Sequence, residues 1–331
     1  MLALLRTNRY DLIHAVEESA FIAIAGKILY KTPYVFDMDS SIPDQIFEKY
    51  PGLRLTHRVL RRIERIMIRR SVFVVAVCES LAKIARHSMV ESRIAILEDV
   101  PLFAKREEGK PLGLAGALGI HGSVVMYVGN LETYQGIDLL LESFRIAHAR
   151  DGRHHLVIVG GADADIARYT EMARALGIAG HVHFLGPKPV EELPKYLAEA
   201  DILVSPRTRG ENTPMKIYSY MFSGKPILAT RMTTHTQVLN DDNSVLADPV
   251  PGPFANALSE LLEDVGKREA IGRRAIRDIE ERYSFKVYKG KLSRIYGAIA
   301  QDLGITMGAC REMEPGGATS MGSVRHPGDN G

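Results

Sequence analysis

The sequence lacks the features that mark several large classes of protein. It has only two cysteines, Cys78 and Cys310, which lie too far apart to suggest a disulfide framework or a zinc site. No stretch approaches the roughly 20 apolar residues of a membrane-spanning helix, and the first residues become polar too early for a signal peptide. The net charge of +2 gives no reason to expect a nucleic-acid partner. These absences favour a soluble protein of the reducing cytoplasm.

Cofactor motifs are missing as well. Asp163, Asp165 and the scattered histidines lack the spacing of metal ligands, so the sequence predicts metal-free chemistry. Gly160 and Gly161 follow a strand-like run, but they do not form a GxGxxG motif, and no acidic residue stands where a dinucleotide fingerprint requires one. A nicotinamide-dependent dehydrogenase is therefore disfavoured, and no cofactor is expected.

What the sequence does contain is two series of short apolar runs that alternate with helical periodicity. Continuous apolar runs are typical of parallel strands covered on both faces, so each series predicts a doubly wound α/β layer. Ligands of such layers bind beyond the carboxyl ends of the strands. The predicted strands are 12–15, 34–37, 72–77, 93–97, 123–128, 155–159, 181–185, 201–204, 226–229 and 244–247. The predicted helices are 17–30, 56–70, 79–87, 136–149, 164–176, 190–199, 215–222, 254–264, 267–282 and 285–299.

The two series predict two domains of unequal size. No strand with a glycine-rich turn precedes Leu12, so we expect the chain to begin inside an incomplete first domain, with an unpaired edge at strand 12–15 or a neighbour. Charge, proline and glycine are mixed between the two series, as in interdomain linkers. The predicted organisation is a first domain at 1–103, a linker at 104–120, a second domain at 121–283, a helix at 284–303 that crosses back onto the first domain, and a disordered tail at 304–331.

The most informative segment is 205–230, in which a polar loop follows a strand and precedes a helix. Pro214 stands where the helix could begin, which makes Thr213 a candidate N-cap. Unpaired backbone N–H groups at a helix start attract phosphate oxygens, and Lys216 could add a positive charge beside the same anion. A merely well-capped helix after a surface loop explains this segment equally well.

Two further turns have the right form but are weak signals when each is taken alone. Gly129 ends a strand just before a helix that begins near Gly136, and Gly160-Gly161 ends the next strand. Glycine permits a close approach of backbone to a ligand, but strand–glycine–helix turns occur in every α/β domain. These turns gain weight only from their order along the chain.

That order resembles a known family. The succession VGN-L-x-x-x-Q-G-I-D-L-L-L, LVIVGG, HFLG and ADILVSP…E…P…K…Y…SGKPILAT is similar to the donor domain of family 4 glycosyltransferases over about 121–250, with looser similarity in 10–100. The ordered set is far more specific than any member. The resemblance implies a GT-B fold with two Rossmann-like domains, a nucleoside diphosphate sugar bound mainly by the second, and retaining transfer to a hydroxyl of a glycan or lipid acceptor.

The resemblance also implies roles for particular residues. The first of two family glutamates falls on Glu211, which would face the donor sugar, whereas the second, a ribose ligand, is replaced by Ser219. The family's diphosphate-gripping Arg and Lys fall on Asn130 and Gln135. Replacing both cations by amides removes two charge-assisted hydrogen bonds to a diphosphate, each of which contributes about 1.5–3 kcal/mol to binding.

Other groups could compensate for the lost cations. The candidates are Lys216, the arginines Arg207 and Arg209, and the amide of Asn212. Without a metal, charge on the leaving diphosphate would be stabilised by Lys216 and by the backbone amides of Asn212 and Thr213. A weakened or truncated homologue that only binds a nucleotide or a partner protein, and a sugar-nucleotide epimerase, are the alternatives.

In the predicted first domain, carboxylates follow two strands. Glu17 and Asp39 are candidates to bind or deprotonate an acceptor hydroxyl, with Glu18 and Asp37 beside them. The two glutamates could instead favour the first turn of a helix through its dipole. His14, in an apolar strand, is more typical of a satisfied core histidine.

A basic stretch at 54–70 predicts an amphipathic helix. One side carries arginines, and another carries Leu60, Ile63 and Met67. Such a face could contact an anionic membrane, which would suit a lipid-linked acceptor at the inner membrane face, although a solvated helix face is the more common meaning of a charge run. The arginines are Arg54, Arg58, Arg61, Arg62, Arg65 and Arg69.

Overall fold

A computed structural model describes residues 1–49, 57–103 and 112–305 of the chain. Within these residues all the predicted strands form, each within about two residues of its predicted bounds, and they build two fully parallel sheets. The α/β prediction is therefore confirmed. The strands are β1 Ile13–Val16, β2 Tyr34–Met38, β3 Phe73–Ala76, β4 Ile94–Ile96, β5 Val124–Val128, β6 His155–Val159, β7 Val182–Phe184, β8 Ile202–Ser205, β9 Ile227–Thr230 and β10 Val245–Ala247.

The first domain has its four described strands in the order β1-β2-β3-β4. β1 lies at the edge of this sheet among the described strands, and the side chains of its alternate residues His14 and Val16 are exposed. A short N-terminal helix was not predicted. It packs on the following helix because Leu5 enters a space that a side chain at Gly26 would fill. The helices are α1 Leu2–Thr7, α2 Ser19–Tyr30, α3 Ile42–Lys49, α4 His57–Arg70 and α5 Glu79–Arg86.

The second domain has the strand order β10-β9-β8-β5-β6-β7, with helices on both faces. Along β5, Val125 and Tyr127 enter one apolar core while Val124 and Met126 enter the other. Because both faces are buried, the strand sequence is continuously apolar rather than alternating. The helices are α6 Leu114–Ala117, α7 Ile137–His148, α8 Asp163–Ala175, α9 Leu193–Glu199, α10 Lys216–Ser223, α11 Thr233–Thr236, α12 Pro251–Glu263, α13 Val265–Arg282 and α14 Phe285–Leu303.

The described part of the predicted linker packs against the second domain. Residues 112–120 contain α6, whose first backbone N–H groups at Gly113 and Leu114 donate to the carboxylate of Glu199 over 3.0 and 3.2 Å. Ile120 is buried in the core of that domain. Residues 104–111, and the tail from 306 onward with Cys310, lie outside the described residues.

Helix α14 extends from the second domain across the first sheet. Its Ile295 and Ile299 pack with Val35, Phe73 and Val75 on strands of the first domain. Lys291 of the same helix forms an ion pair with Glu98, just after β4. The helix ends at Leu303, where the predicted segment 284–303 ends and four residues beyond the amphipathic stretch 285–299, and Gly304 follows with a φ of +66° that is typical of a helix C-cap. In the portion described, no helix is long and apolar enough to span a bilayer.

We expect Ile295→Ala to lower the free energy of unfolding by about 2–5 kcal/mol, because it leaves a cavity between α14 and the first sheet. Urea unfolding followed by circular dichroism measures this change. Ser293→Ala, an exposed position on the same helix, is the matched control and should change stability little. Equal effects of the two changes would show that α14 contributes nothing through this contact.

Candidate functional site

A cavity of about 610 Å³ opens at the carboxyl ends of the central strands of the second domain. Its size is typical of a small-molecule site, and its place is where doubly wound sheets bind ligands. The structure brings most of the predicted ligand-binding residues together there. Those that line it are Gly129, Asn130, Gln135, Gly160, Gly161, Arg207, Asn212, Lys216 and Ser219.

Glycines keep the floor of this cavity open. Gly129 and Gly160 have φ values of +148° and +110°, which other residues rarely adopt. A Cβ at Gly160 would lie 2.2 Å from the carbonyl oxygen of Gly129, so the two strand ends approach this closely because Gly160 has no side chain. Gly136 differs, because it lies against the carbonyl of Pro206 before α7 and does not line the cavity.

The ammonium of Lys216 lies in the cavity wall and has only neutral partners among the described residues. Its Nζ donates to the hydroxyl of Tyr127 over 2.8 Å and to Oε1 of Gln135 over 3.0 Å, and lies 4.0 Å from the Tyr127 ring centroid. Burial lowers the pKa of Lys216 well below its ordinary value, and the charge of Arg207 lowers it further. An anion entering the cavity would supply the negative counter-charge that this ammonium does not have among its neighbours.

Arg207 shapes the loop on the other side of Lys216. Its guanidinium donates to the carbonyl of Arg209 over 2.7 Å and to Oδ1 of Asn212 over 3.0 Å, and it stacks 5.0 Å from the ring centroid of Tyr134. The arginine is almost fully buried, but it still lines the cavity. It therefore fixes the 209–212 loop and adds positive potential to the site.

The start of α10 differs from the prediction. The helix begins at Lys216 with Met215 as N-cap, and no side chain caps it, so the predicted N-cap at Thr213 is wrong. The carbonyl of Pro214 accepts the N–H of Ile217 over 2.9 Å, which tightens the first turn. Thr213 is buried outside the cavity lining, its hydroxyl has no partner in the described chain, and its backbone N–H points at the thiol of Cys78.

Ser219 connects the cavity to the segment that follows the first sheet. Its hydroxyl accepts the backbone N–H of Leu102 over 3.1 Å. Leu102 also lines the cavity. One wall of the site thus comes from the chain between the two domains, a contribution that no motif in the sequence indicated.

A smaller pocket of about 90 Å³ lies between the two domains. Ser40, Ser41 and Asp44 line it from the first domain, and Glu211 and Asn212 line it from the second. Asn212 and Arg207 line both this pocket and the larger cavity, so the two spaces are adjacent. Glu211, the predicted sugar ligand, is therefore placed at the junction of the domains.

The predicted carboxylates gather at the carboxyl edge of the first sheet. Glu17 has the unusual φ of +46°, and its N–H donates to the carbonyl of Asp37 over 3.0 Å while Ser40 donates to its carboxylate over 2.7 Å. His14 is exposed rather than a core histidine. Its Nε2 lies 2.8 Å from the Asp37 carboxylate, and its other ring nitrogen is hydrogen-bonded to Tyr296 of α14.

Two carboxyl groups in this cluster have strongly raised pKa values. The pKa of Asp39 is raised to about 6, mainly by burial and also by the nearby charges of Asp37 and Glu17, while His14 opposes the rise. Burial, with Asp39 and Asp37, raises the pKa of Asp99 to about 7. Asp99 follows β4 and was not predicted, because it belongs to no motif and meets the cluster only in the fold.

We expect Asp99→Asn to stabilise the protein above pH 7 and to have little effect at pH 4. The folded state of the wild type binds the Asp99 proton more tightly than the unfolded chain does, so stability falls as the pH rises from about 4 to 7. Asparagine does not ionise and removes this loss. Thermal unfolding between pH 4 and 8 measures the difference, with exposed Glu263→Gln as control. A parallel pH dependence of wild type and variant would contradict this assignment.

Comparison with known proteins identifies relatives of both domains. The family model for group 1 glycosyl transferases matches residues 122–264, and the model for glycosyltransferase family 4 matches residues 1–98. A D-inositol 3-phosphate glycosyltransferase of Corynebacterium diphtheriae is 30% identical over 188 residues, covering 55% of this chain and 44% of its own. A phosphatidyl-myo-inositol mannosyltransferase of Mycobacterium tuberculosis is 28% identical over 189 residues, covering 54% and 48%. The chain thus spans about half the length of these curated relatives.

Solved structures share the architecture. Anabaena HepE in complex with UDP superposes with a TM-score of 0.78 at 17% identity, covering 90% of this chain and 81% of that chain. A sucrose-phosphate synthase from Thermosynechococcus elongatus gives a TM-score of 0.75 at 17% identity, covering 91% and 76%. At these identities the likeness concerns the fold alone, which is GT-B. With one family model on each domain, the chain belongs to the group 1, family 4 glycosyltransferases.

Proposed function

We propose that this protein transfers a hexose-type sugar from a nucleoside diphosphate sugar to a hydroxyl of a glycan or lipid acceptor, with retention of anomeric configuration. The observation that carries the proposal is the Lys216 ammonium, which lines a ligand-sized cavity without a carboxylate partner in the described residues. A buried cation without a counter-ion is unfavourable unless a ligand supplies the opposite charge. A diphosphate group carries that negative charge.

The neighbours of Lys216 extend this anion site. Because Oε1 of Gln135 accepts from Lys216, the NH₂ group of that amide carries two donor hydrogens; one faces the Tyr134 hydroxyl, and the other would donate to a phosphate oxygen. The backbone N–H groups of Met215 and Lys216 begin α10 and have no partner within the part of the chain described. These donors would stabilise the charge that develops on the leaving diphosphate.

The two sides of the cleft would contact different substrates. Glu211, beside the interdomain pocket, would bind hydroxyls of the donor sugar. Asp39, on the opposite side, has a pKa near 6 and could accept a proton from the acceptor hydroxyl, with Glu17 as a further hydrogen-bond acceptor. A donor site on one domain and carboxylates on the other favour transfer over a sugar-nucleotide epimerase, which needs no acceptor groups.

The relatives support this substrate class. Two are named for transfer to inositol phosphate or phosphatidylinositol, and one structural neighbour was solved with UDP-glucose. We propose a uridine or guanosine diphosphate sugar as the first donors to test, and a nucleotide-binding homologue without turnover as the alternative outcome.

We also propose a peripheral contact with an anionic membrane through α4. Arg58, Arg62, Arg65 and Arg69 form an exposed stripe beside Val59 and Ile66, which are 56% and 51% exposed. Arg61 leaves the predicted basic face, since it pairs with Asp44 over 2.8 Å, and Arg54 lies outside the described residues. The adjacent α2 adds further exposed apolar residues, Phe21, Ile22, Ile28 and Leu29. Apolar side chains among arginines are typical of interfacial helices.

Lys216→Met tests the donor site. We expect UDP to bind about 10- to 100-fold more weakly, because one charge-assisted hydrogen bond is lost. Isothermal titration calorimetry measures the affinity, and thermal unfolding should show an unchanged or raised melting temperature, since a buried charge is removed. Lys195→Met, an exposed lysine on α9, is the control. Unchanged UDP affinity in Lys216→Met would overturn the proposed site.

Reversing the charge of α4 tests the membrane contact. We expect wild-type protein to bind vesicles of 70% phosphatidylcholine and 30% phosphatidylglycerol at low salt, and a variant with Arg62, Arg65 and Arg69 changed to Glu to bind at least tenfold less. The control changes exposed arginines of α13, Arg273 and Arg277, to Glu. Equal sedimentation of all three proteins with vesicles would refute the contact.

A further inference from the structure

The loop that carries Glu211 is attached to the first domain as well as to its own. The side-chain amide of Asn212 donates to the backbone carbonyl of Asp39 over 3.1 Å. The thiol of Cys78 lies 3.8 Å from the carbonyl oxygen of Glu211. Asp39 and Cys78 follow β2 and β3, so both partners stand at the carboxyl edge of the first sheet. The shape of the loop therefore depends on where the first domain lies.

Gln237 makes a third connection, and it has two sides. Its Oε1 accepts the backbone N–H of Ser80 over 2.8 Å, and its Nε2 donates to the carbonyl of Glu211 over 2.9 Å. Ser80 belongs to the first turn of α5, where backbone N–H groups have no partner inside the helix. One planar amide thus bonds the first domain through one atom and the Glu211 loop through the other.

We propose that Gln237 is a positioning residue that couples closure of the two domains to the placement of Glu211. When α5 of the first domain is docked, the amide of Gln237 is held by Ser80 and in turn holds the backbone of Glu211. When the domains separate, Gln237 loses its hydrogen bond from Ser80, and the contacts of Asp39 and Cys78 with the loop are broken. This inference rests on the proposed function, because it assigns Glu211 to the donor sugar.

Glutamine is suited to this position because the connection needs one acceptor and one donor on the same group. Glutamate would still accept from Ser80, but its second oxygen would face the carbonyl oxygen of Glu211 and repel it. Methionine has a similar length and offers neither a strong donor nor a strong acceptor. Gln237 lies after α11 and outside the larger cavity, so neither change removes a group that lines the donor site.

Hydrogen exchange read by mass spectrometry tests the connection on the full chain with saturating UDP. In Gln237→Met we expect the Ser80 amide and the 209–213 loop to exchange about 3- to 10-fold faster, with α12 unchanged. In Gln237→Glu we expect faster exchange in the loop and wild-type exchange at Ser80. Gln301→Met, an exposed position on α14, is the control. Unchanged exchange at both places in Gln237→Met would overturn the proposal.

Turnover provides the second readout. With UDP-glucose or another donor that the wild type uses, both Gln237 variants should lower kcat/KM for the donor at least fivefold and leave the Kd of UDP within twofold, because Glu211 is assigned to the sugar and not to the diphosphate. A purely structural role would lower the melting temperature and the fraction of folded protein, but it would leave the activity per folded molecule unchanged. That result would overturn the positioning role. A wild type that turns over no nucleoside diphosphate sugar would refute the proposed function, and the exchange data would still decide whether Gln237 links the domains.

Discussion

The candidate site of the second domain is built around one buried ammonium with neutral partners. The Nζ of Lys216 is held by the hydroxyl of Tyr127 and the amide oxygen of Gln135, which orient it but do not neutralise it. Gly129 has a φ of +148°, which side-chain-bearing residues rarely adopt, and a Cβ there would lie 2.9 Å from this nitrogen. Desolvation of an uncompensated charge opposes folding, and such groups are typical of binding sites. The site therefore accepts a loss of stability that an anionic ligand can offset.

This geometry explains one of the departures from the family pattern. The resemblance places cations at positions 130 and 135, where this chain has amides. The ammonium instead comes from α10 and rests on Gln135, so the amide at that position now orients the charge that the family supplies there directly. Asn130 lines the same cavity, and its backbone carbonyl accepts the Tyr127 hydroxyl over 2.6 Å, a bond that any residue at this position could accept. Gln135 and Lys216 form one arrangement.

How far the sequence predicts the structure depends on how local each signal is. Strands buried on both faces, such as β5 and β6, are visible as continuous apolar runs, and the glycine turns that follow them were identified as candidates. Helix α1 was missed because only Leu5 of its residues is buried, which leaves no periodic pattern. The prediction of Thr213 as N-cap was wrong because a turn at Pro214 comes first, and the helix begins two residues later, at Lys216. Asp99 could not be predicted, since its raised pKa arises from burial and from carboxylates about 60 residues earlier in the chain.

The contacts between the domains have a property that bears on function. Several of them join a side chain to a backbone atom, as in Asn212 to Asp39, Gln237 to Ser80 and Ser219 to Leu102. A bond to a backbone atom depends on where that element lies and not on which side chains it carries. These contacts therefore depend on the position of the first domain. Group transfer between substrates on two domains requires the reacting atoms to be held about 3–3.5 Å apart. These contacts surround the Glu211 loop and form only when the two domains are docked. They are therefore suited to completing the site only in the closed arrangement.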